Sequence, residues 1–109
     1  MKLKTAEENE KFIVVEIDGR MDAAGLAAAD EVLSALVDGK NAVLDMCRVE
    51  YMASLGIRKL LQMAKAAKAA DRKIVIANPQ QTVKGVLELA NIDSIIAVLP
   101  SVEEAKRFL

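Results

Sequence analysis

The chain has 109 residues, of which 53% are hydrophobic and 28% are charged, a balance typical of one globular domain. Its 15 basic and 16 acidic residues give a net charge of −1, which excludes a strong overall attraction to nucleic acid or to acidic membranes. There is no histidine and one cysteine, so a histidine-activated nucleophile, an internal disulfide and a classical zinc site are excluded within one chain. We therefore predict a non-enzymatic domain without a cofactor or a metal.

The first third of the chain predicts two strands and a helix. A weak strand over residues 2–6 precedes the β-branched run Phe12–Ile17, which we expect to end in a turn at Asp18-Gly19. The Asp22 side chain is of the type that caps helix N-termini, and the apolar spacing after it predicts a helix that ends near Val37. These elements would form a hairpin followed by a helix.

From residue 41 onward, strands and helices alternate. The predicted elements, in chain order, are a strand over Asn41–Met46, a helix over Leu55–Ala70, a strand over Lys73–Ala77, a helix that carries Val83, Val86, Leu87 and Ala90, a strand over Ile95–Leu99 and a helix that begins after Ser101. Such alternation is typical of a sheet with parallel strand pairs covered by helices. We therefore predict a single α/β domain over residues 1–109, with four to five strands and about four helices.

The segment Leu44–Leu61 (LDMCRVEYMASLGIRKLL) is the part of the chain that most indicates a binding function. It runs from a strand through a predicted loop into a helix, and Ser54 falls at the N-terminus of that helix. Free backbone N–H groups at a helix N-terminus favour an acceptor oxygen or a phosphate. If the strands before Asp22 and Ser54 are neighbours, the two side chains share one edge of the sheet.

Two segments resemble the signature regions of STAS domains, the family of the anti-sigma factor antagonists. They are GRMDAAGL (Gly19–Leu26) and the segment Leu44–Leu61, which occur in the family's order and on the expected elements. The resemblance extends over essentially the whole chain and implies a STAS-type single domain with a mixed sheet. It also implies a function in docking a partner protein, without catalysis.

The resemblance and the residues around Ser54 together predict a site. The serine that a partner anti-sigma kinase phosphorylates in the family falls on Ser54, and the strand-end aspartate falls on Asp45. The predicted partner-binding residues combine matched motif positions with apolar and basic neighbours of Ser54; they are Asp22, Met52, Ala53, Leu55, Gly56 and Arg58. The sequence departs from the family pattern at Ala53, where the family has an aspartate, and at Leu55, where it has a small hydroxyl residue.

The resemblance implies an anti-sigma factor antagonist that binds an anti-sigma factor/serine kinase and is switched off by phosphorylation at Ser54. The departures at Ala53 and Leu55 keep a second function open: a non-phosphorylated STAS accessory subunit of a larger complex. An example is a lipid-transport ABC system, in which the subunit binds the ATPase. The polar start and the lack of a long apolar run predict a cytoplasmic protein without membrane insertion. We expect no nucleic-acid partner, and a monomer or a weak dimer.

Simpler structural roles stay open for several of these residues. The alternative for Ser54 and Asp22 is a plain helix N-cap. For Asp45 it is a local bond to the backbone, and for Cys47 it is packing in place of redox chemistry. For the basic residues it is a solvated helix face in place of an electrostatic match to an acidic partner; they are Arg58, Lys59, Lys65, Lys68, Arg72 and Lys73.

Overall fold

The computed structural model describes all 109 residues, which form one mixed sheet and four helices. The strands are β1 (Lys2–Glu8), β2 (Phe12–Met21), β3 (Asn41–Met52), β4 (Ile74–Ala77) and β5 (Val98–Leu99). The helices are α1 (Ala23–Val37), α2 (Ser54–Ala69), α3 (Gln81–Leu89) and α4 (Val102–Arg107), with a 3-10 turn at Ile92–Ser94. The strand order is β1-β2-β3-β4-β5, in which β1 is antiparallel to β2 and the other pairs are parallel. The predicted α/β class, strand number and helix number are confirmed.

The two faces of the sheet are covered by different helices. Because side chains alternate along a strand, Ile13 and Val15 point to one face, where they join a core with residues of α1, α2 and α3. Val14 and Val43 point to the other face, where they pack with Ala105 of α4. Coverage on both faces explains why the central strands are continuous apolar runs. No helix is both long enough and apolar enough to cross a membrane.

Strands β2 and β3 are longer than the sequence predicts. The turn predicted at Asp18-Gly19 is wrong: the two residues lie inside β2, where pairing with β3 shifts register and Gly19 has a φ of +119°. A bulge with glycine in this conformation lets the strand continue, up to Met21. The loop predicted after Met46 is also wrong, because β3 continues beside the extended β2 and ends at Met52.

The strand predicted over Ile95–Leu99 is shorter in the structure. The backbone amides of Ile95 and Ile96 both donate to the carbonyl of Ile92, at 2.8 Å each, so these residues form the turn that ends the 3-10 helix and are not in a strand. Ile96 is nearly fully buried in the core shared by the first three helices. The β-branched side chain of Ile96 therefore packs in the core although its backbone lies in a turn. Strand β5 begins only at Val98.

Candidate functional site

Two strand-to-helix junctions lie side by side at one edge of the sheet. Met21 and Met52 are paired in register at the ends of β2 and β3, and the Ala53 amide donates to the Met21 carbonyl at 3.0 Å. Helix α1 begins two residues after Met21, and α2 begins two residues after Met52. Asp22 and Ser54 therefore occupy the same edge, as the sequence predicts for neighbouring strands.

Asp22 caps the first of these helices. One of its carboxylate oxygens accepts a hydrogen bond from the Gly25 amide at 2.9 Å, and the other accepts one from Nε of Arg20 at 2.9 Å. The Gly25 amide, and after it the Arg20 guanidinium, favour the charged carboxylate and hold the pKa of Asp22 below its ordinary value. The predicted N-cap role of Asp22 is confirmed, and the residue stays ionised at neutral pH.

Ser54 is the first helical residue of α2, and it is not the N-cap. The N-cap is Ala53, which has no side chain able to accept from the helix amides. The plain N-cap interpretation of Ser54 is therefore wrong by one residue. Ser54 is exposed, and its hydroxyl forms no hydrogen bond within the chain. The hydroxyl is accordingly free to meet a ligand or a partner.

Close packing beneath the two helix starts fixes their position. A Cβ added to Gly56 would lie 2.5 Å from the Met52 sulfur and 2.7 Å from the Met21 carbonyl oxygen, so only glycine fits there. Met52 itself is only 3% exposed. Met52 and Gly56, which the sequence places in the partner-binding set, thus lie under the surface and offer a partner no side-chain area. They hold α2 against the end of β2.

An arginine and a tyrosine that sequence reasoning missed lie at the ends of β2 and β3, just before the two helix starts. Arg20 and Tyr51 are paired across β2 and β3, and the Arg20 guanidinium lies 4.4 Å from the centre of the Tyr51 ring. Tyr51 is 45% exposed and Leu55 is 41% exposed. Aromatic residues and arginine are enriched at the centres of protein interfaces. The lone tyrosine just before Ser54 was the available sequence signal, but its pairing with Arg20 required the extended strands.

We call the side chains at these two junctions that are not buried the helix-start surface. It comprises Arg20, Asp22, Tyr51, Ser54, Leu55 and Arg58. It combines a polar, partly charged edge with two exposed apolar or aromatic side chains. No group of three or more His, Cys, Asp or Glu side chains is arranged to hold a metal ion. The arrangement is suited to contact with a protein and contains no nucleophile paired with a base.

Residues 4–105 match the STAS domain family. The chain belongs to this family. A similar relative, at 29% identity over 107 residues, is "Putative anti-sigma factor antagonist BtrV" from Bordetella bronchiseptica, with 96% of this chain and 91% of the relative covered. An anti-sigma factor antagonist (STAS) domain protein from Planctomyces limnophilus has the same fold, with a TM-score of 0.77 at 18% identity, covering 94% of this chain and 92% of that one.

A third similar protein has been solved in two chemical forms. The Bacillus cell fate determinant SpoIIAA in its phosphorylated form aligns with a TM-score of 0.70 at 15% identity, covering 99% of this STAS domain and 100% of that chain. The unphosphorylated form, described as the anti-sigma factor antagonist SpoIIAA, also gives 0.70, at 16% identity, covering 94% and 92%. At these identities the structures establish a shared fold.

Asp45 and Cys47 have local structural roles in this STAS domain. The predicted backbone bond is confirmed: an Asp45 carboxylate oxygen accepts from the Cys47 amide at 3.1 Å, although within bulged β3 and not in a loop. Partial burial raises the pKa of the Cys47 thiol, and the hydrogen bond from the thiol to Asp45 raises it further. Since the thiolate is the reactive form, this setting favours the packing role over redox chemistry.

The basic run divides into three parts in the folded STAS domain. Lys59, predicted on a solvated helix face, is only 5% exposed, and its ammonium lies between α1 and α2, 2.6 Å from a carboxylate oxygen of Asp30 and hydrogen-bonded to Ser34. The predicted solvated position is wrong for Lys59, because α1 packs against α2 and buries its side chain. Arg58 stays exposed one turn after Ser54, at the start of the second turn of α2, and the remaining basic residues lie beyond the helix-start surface.

Proposed function

We propose that this STAS domain is a cytoplasmic anti-sigma factor antagonist that binds an anti-sigma factor/serine kinase and is switched off by phosphorylation at Ser54. In this role it is a binding protein and has no catalysis of its own. The observation that carries the proposal is the Ser54 hydroxyl, exposed and without a partner at the start of α2. The name of BtrV and the two chemical forms of SpoIIAA support it.

The helix-start surface is the proposed docking surface. Tyr51 and Leu55 would bury their exposed apolar area against the kinase, and Arg20, already held by Asp22 and stacked on Tyr51, would lose little side-chain freedom on binding. Arg58, one turn after Ser54, would add a charged contact at the rim. Asp22, Ala53, Met52 and Gly56 contribute by fixing the two helix starts.

Phosphorylation would change the charge at the centre of this surface. A phosphate adds about −1.5 to −2 charges at pH 7, directly before the apolar Leu55 and at the same sheet edge as the acidic Asp22. Docking would then have to desolvate that charge against a surface shaped for a neutral hydroxyl. A tenfold loss of affinity requires only about 1.4 kcal/mol, so one phosphate suffices to switch binding off.

Incubation with the cognate anti-sigma kinase and ATP tests the proposal. Mass spectrometry should find one added phosphate on the wild-type chain and none on Ser54→Ala, while Ser94→Ala, which removes another exposed serine, should still be phosphorylated. Unphosphorylated Ser54→Ala should bind the kinase like wild type, because it adds no charge. A phosphate elsewhere, or unchanged kinase binding after phosphorylation, would contradict the proposal.

A second candidate is a constitutive accessory subunit of a larger complex, such as the STAS partner of an ABC transporter ATPase. Two residues favour it: Ala53 supplies no acidic group before the serine, and Leu55 presents an exposed apolar side chain directly after it. Purified ATPase and anti-sigma kinase should be compared as partners of Ser54→Asp. The accessory role is supported if the ATPase binds Ser54→Asp as well as wild type and the chain isolated from cells carries no phosphate.

A further inference from the structure

An open groove lies at the far end of α2 from Ser54. It is formed by the second half of α2, the start of β4, the residues that lead into β5 and the residue that follows α4, and its volume is about 700 Å³. At 1.5 Å per residue, Lys68 is roughly 21 Å from Ser54 along the helix axis. None of the six residues of the helix-start surface lines the groove, so the two surfaces are separate.

The interior of the groove is apolar and partly uncovered. Ile95 is 59% exposed, Phe108 is 52% exposed and Leu61 is 37% exposed, and all three line it. Ile74 is paired with β3 on one side, but pairing between β4 and β5 begins only at Ile76, so the other side of Ile74 has no neighbouring strand. Three large exposed apolar side chains beside an open sheet edge form a patch of the kind that binds another molecule.

The rim of the groove is entirely basic. Its charged residues are Lys65, Lys68, Arg72 and Lys73, and no Asp or Glu lines it. None of these four residues takes part in the six ion pairs within the chain. The Lys73 ammonium is directed inward, 5.8 Å from the centre of the Phe108 ring and 3.5 Å from its carbonyl oxygen. Four positive charges that form no ion pair within the chain thus lie around an apolar floor, in a chain whose net charge is −1.

We propose that this groove binds an acidic amphipathic helix of a partner protein. The apolar face of such a helix would cover Ile95, Phe108 and Leu61, and its acidic side chains would meet the basic rim. Lys65 and Lys68 lie one turn apart on α2, which matches acidic residues spaced by one turn on a helix laid alongside.

The shape of the groove favours a helix over other acidic surfaces. A lipid bilayer is flat, so apolar anchors have to project into it, whereas these apolar side chains line a concavity. Nucleic acid would use stacking platforms, and the groove has a single aromatic residue, Phe108. The proposal is independent of Ser54 and gives the domain a second site, at the end of α2 away from the helix-start surface.

Fluorescence anisotropy with a labelled peptide tests the groove. The probe is a synthetic amphipathic helix of about 18 residues, five turns, with leucine on one face and glutamate on the other. We expect saturable binding that weakens as salt is added. The double variant Lys65→Glu/Lys68→Glu should weaken it by about tenfold or more. Lys84→Glu, an exposed charge reversal outside the groove, should leave it unchanged.

Matched apolar variants and a second probe complete the test. Ile95→Ser should weaken peptide binding, whereas Leu89→Ser, which removes an exposed leucine that does not line the groove, should not. Ser54→Asp should bind the peptide like wild type, which separates this site from the proposed switch. The proposal is overturned if the peptide does not bind, or if a scrambled peptide of the same composition binds equally well. Insensitivity to the double reversal, or preference for anionic phosphatidylglycerol vesicles over the peptide, would also overturn it.

Discussion

Two junctions with the same backbone course carry different chemistry in this domain. One runs from Met21 through Asp22 into α1, and the other runs from Met52 through Ala53 into α2, with the two methionines paired in register. Each helix has a buried glycine three residues after its N-cap, Gly25 in α1 and Gly56 in α2. Yet Asp22 caps its helix through a carboxylate, and Ala53 forms no side-chain cap at all.

The difference shows that strand pairing and close packing define the helix starts, while the cap adds local stability. The α2 helix begins without a side-chain cap because its first turn is pressed against the end of β2 through Gly56. The missing cap leaves the start of α2 without an internal acceptor, beside the free Ser54 hydroxyl. The first junction is thus closed by its own side chains, and the second remains open to another molecule.

Substitution of the buried glycine at either junction should give the largest loss of stability. A Cβ at Gly25 would overlap the Arg20 carbonyl oxygen, and one at Gly56 would crowd the Met21 carbonyl oxygen. We expect Gly25→Ala and Gly56→Ala each to lower the free energy of unfolding by about 3 kcal/mol, measured by urea denaturation. The control is Gly85→Ala in α3, where a Cβ has open space and should stabilise by ~0.5–1 kcal/mol. Equal effects at the three positions would refute the close-packing explanation.

An acidic N-cap at the second junction, like that at the first, should stabilise the domain. Ala53→Asp places a carboxylate at the N-cap of α2, where it can accept from the Gly56 amide as Asp22 accepts from the Gly25 amide. The free energy of unfolding should rise by ~1 kcal/mol in urea denaturation. Ala53→Asn should raise the free energy of unfolding by a similar amount without adding a charge. If neither substitution raises it, the two junctions differ in backbone geometry and the comparison fails.

Acid should remove the stability that the ionised Asp22 cap contributes to the first junction. Because the pKa of Asp22 in the folded chain lies below its ordinary value of 3.8, the carboxylate contributes stability that is fully present above that value. The contribution is lost as the pH falls through the lower pKa of the folded state. Urea midpoints of wild type and Asp22→Ala should therefore differ at pH 7 and approach each other as the pH falls below 3.8. A constant difference over that range would contradict the assignment.

The smallest expected effect on stability is that of charge at Ser54. The helix dipole favours a negative group at the first residue of α2, so Ser54→Asp should be as stable as wild type or gain ~0.3–1 kcal/mol. Thermal unfolding at low salt measures the change, and Ser54→Lys should move in the opposite direction. Any loss of partner binding by Ser54→Asp could then be assigned to the interface, since the fold is retained.

The order and type of the elements were predictable from sequence. The β-branched run Phe12–Ile17 and the apolar spacing of α1 and α2 depend on residues that are near neighbours in the chain, so local patterns reveal them. Asp22 was recognised as an N-cap for the same reason. The position of Ser54 at a helix start followed from the strand and helix that flank it.

Other features depend on contacts between distant parts of the chain. Strands β2 and β3 extend to Met21 and Met52 because each supplies the other's hydrogen bonds, and the stacking of Arg20 on Tyr51 exists only through that pairing. Lys59 is buried because α1 packs beside α2 and brings Asp30 to it.

The sequence by itself thus determined the element order, the Asp22 cap and the placement of Ser54 at a helix start. The tertiary structure decided the helix-start surface and divided the basic run between a buried ion pair, Arg58 and the groove rim. The physical reason is the range of the interactions. Helix periodicity and capping act over a few residues, whereas strand pairing, burial and charge neutralisation depend on segments that only the folded chain brings together.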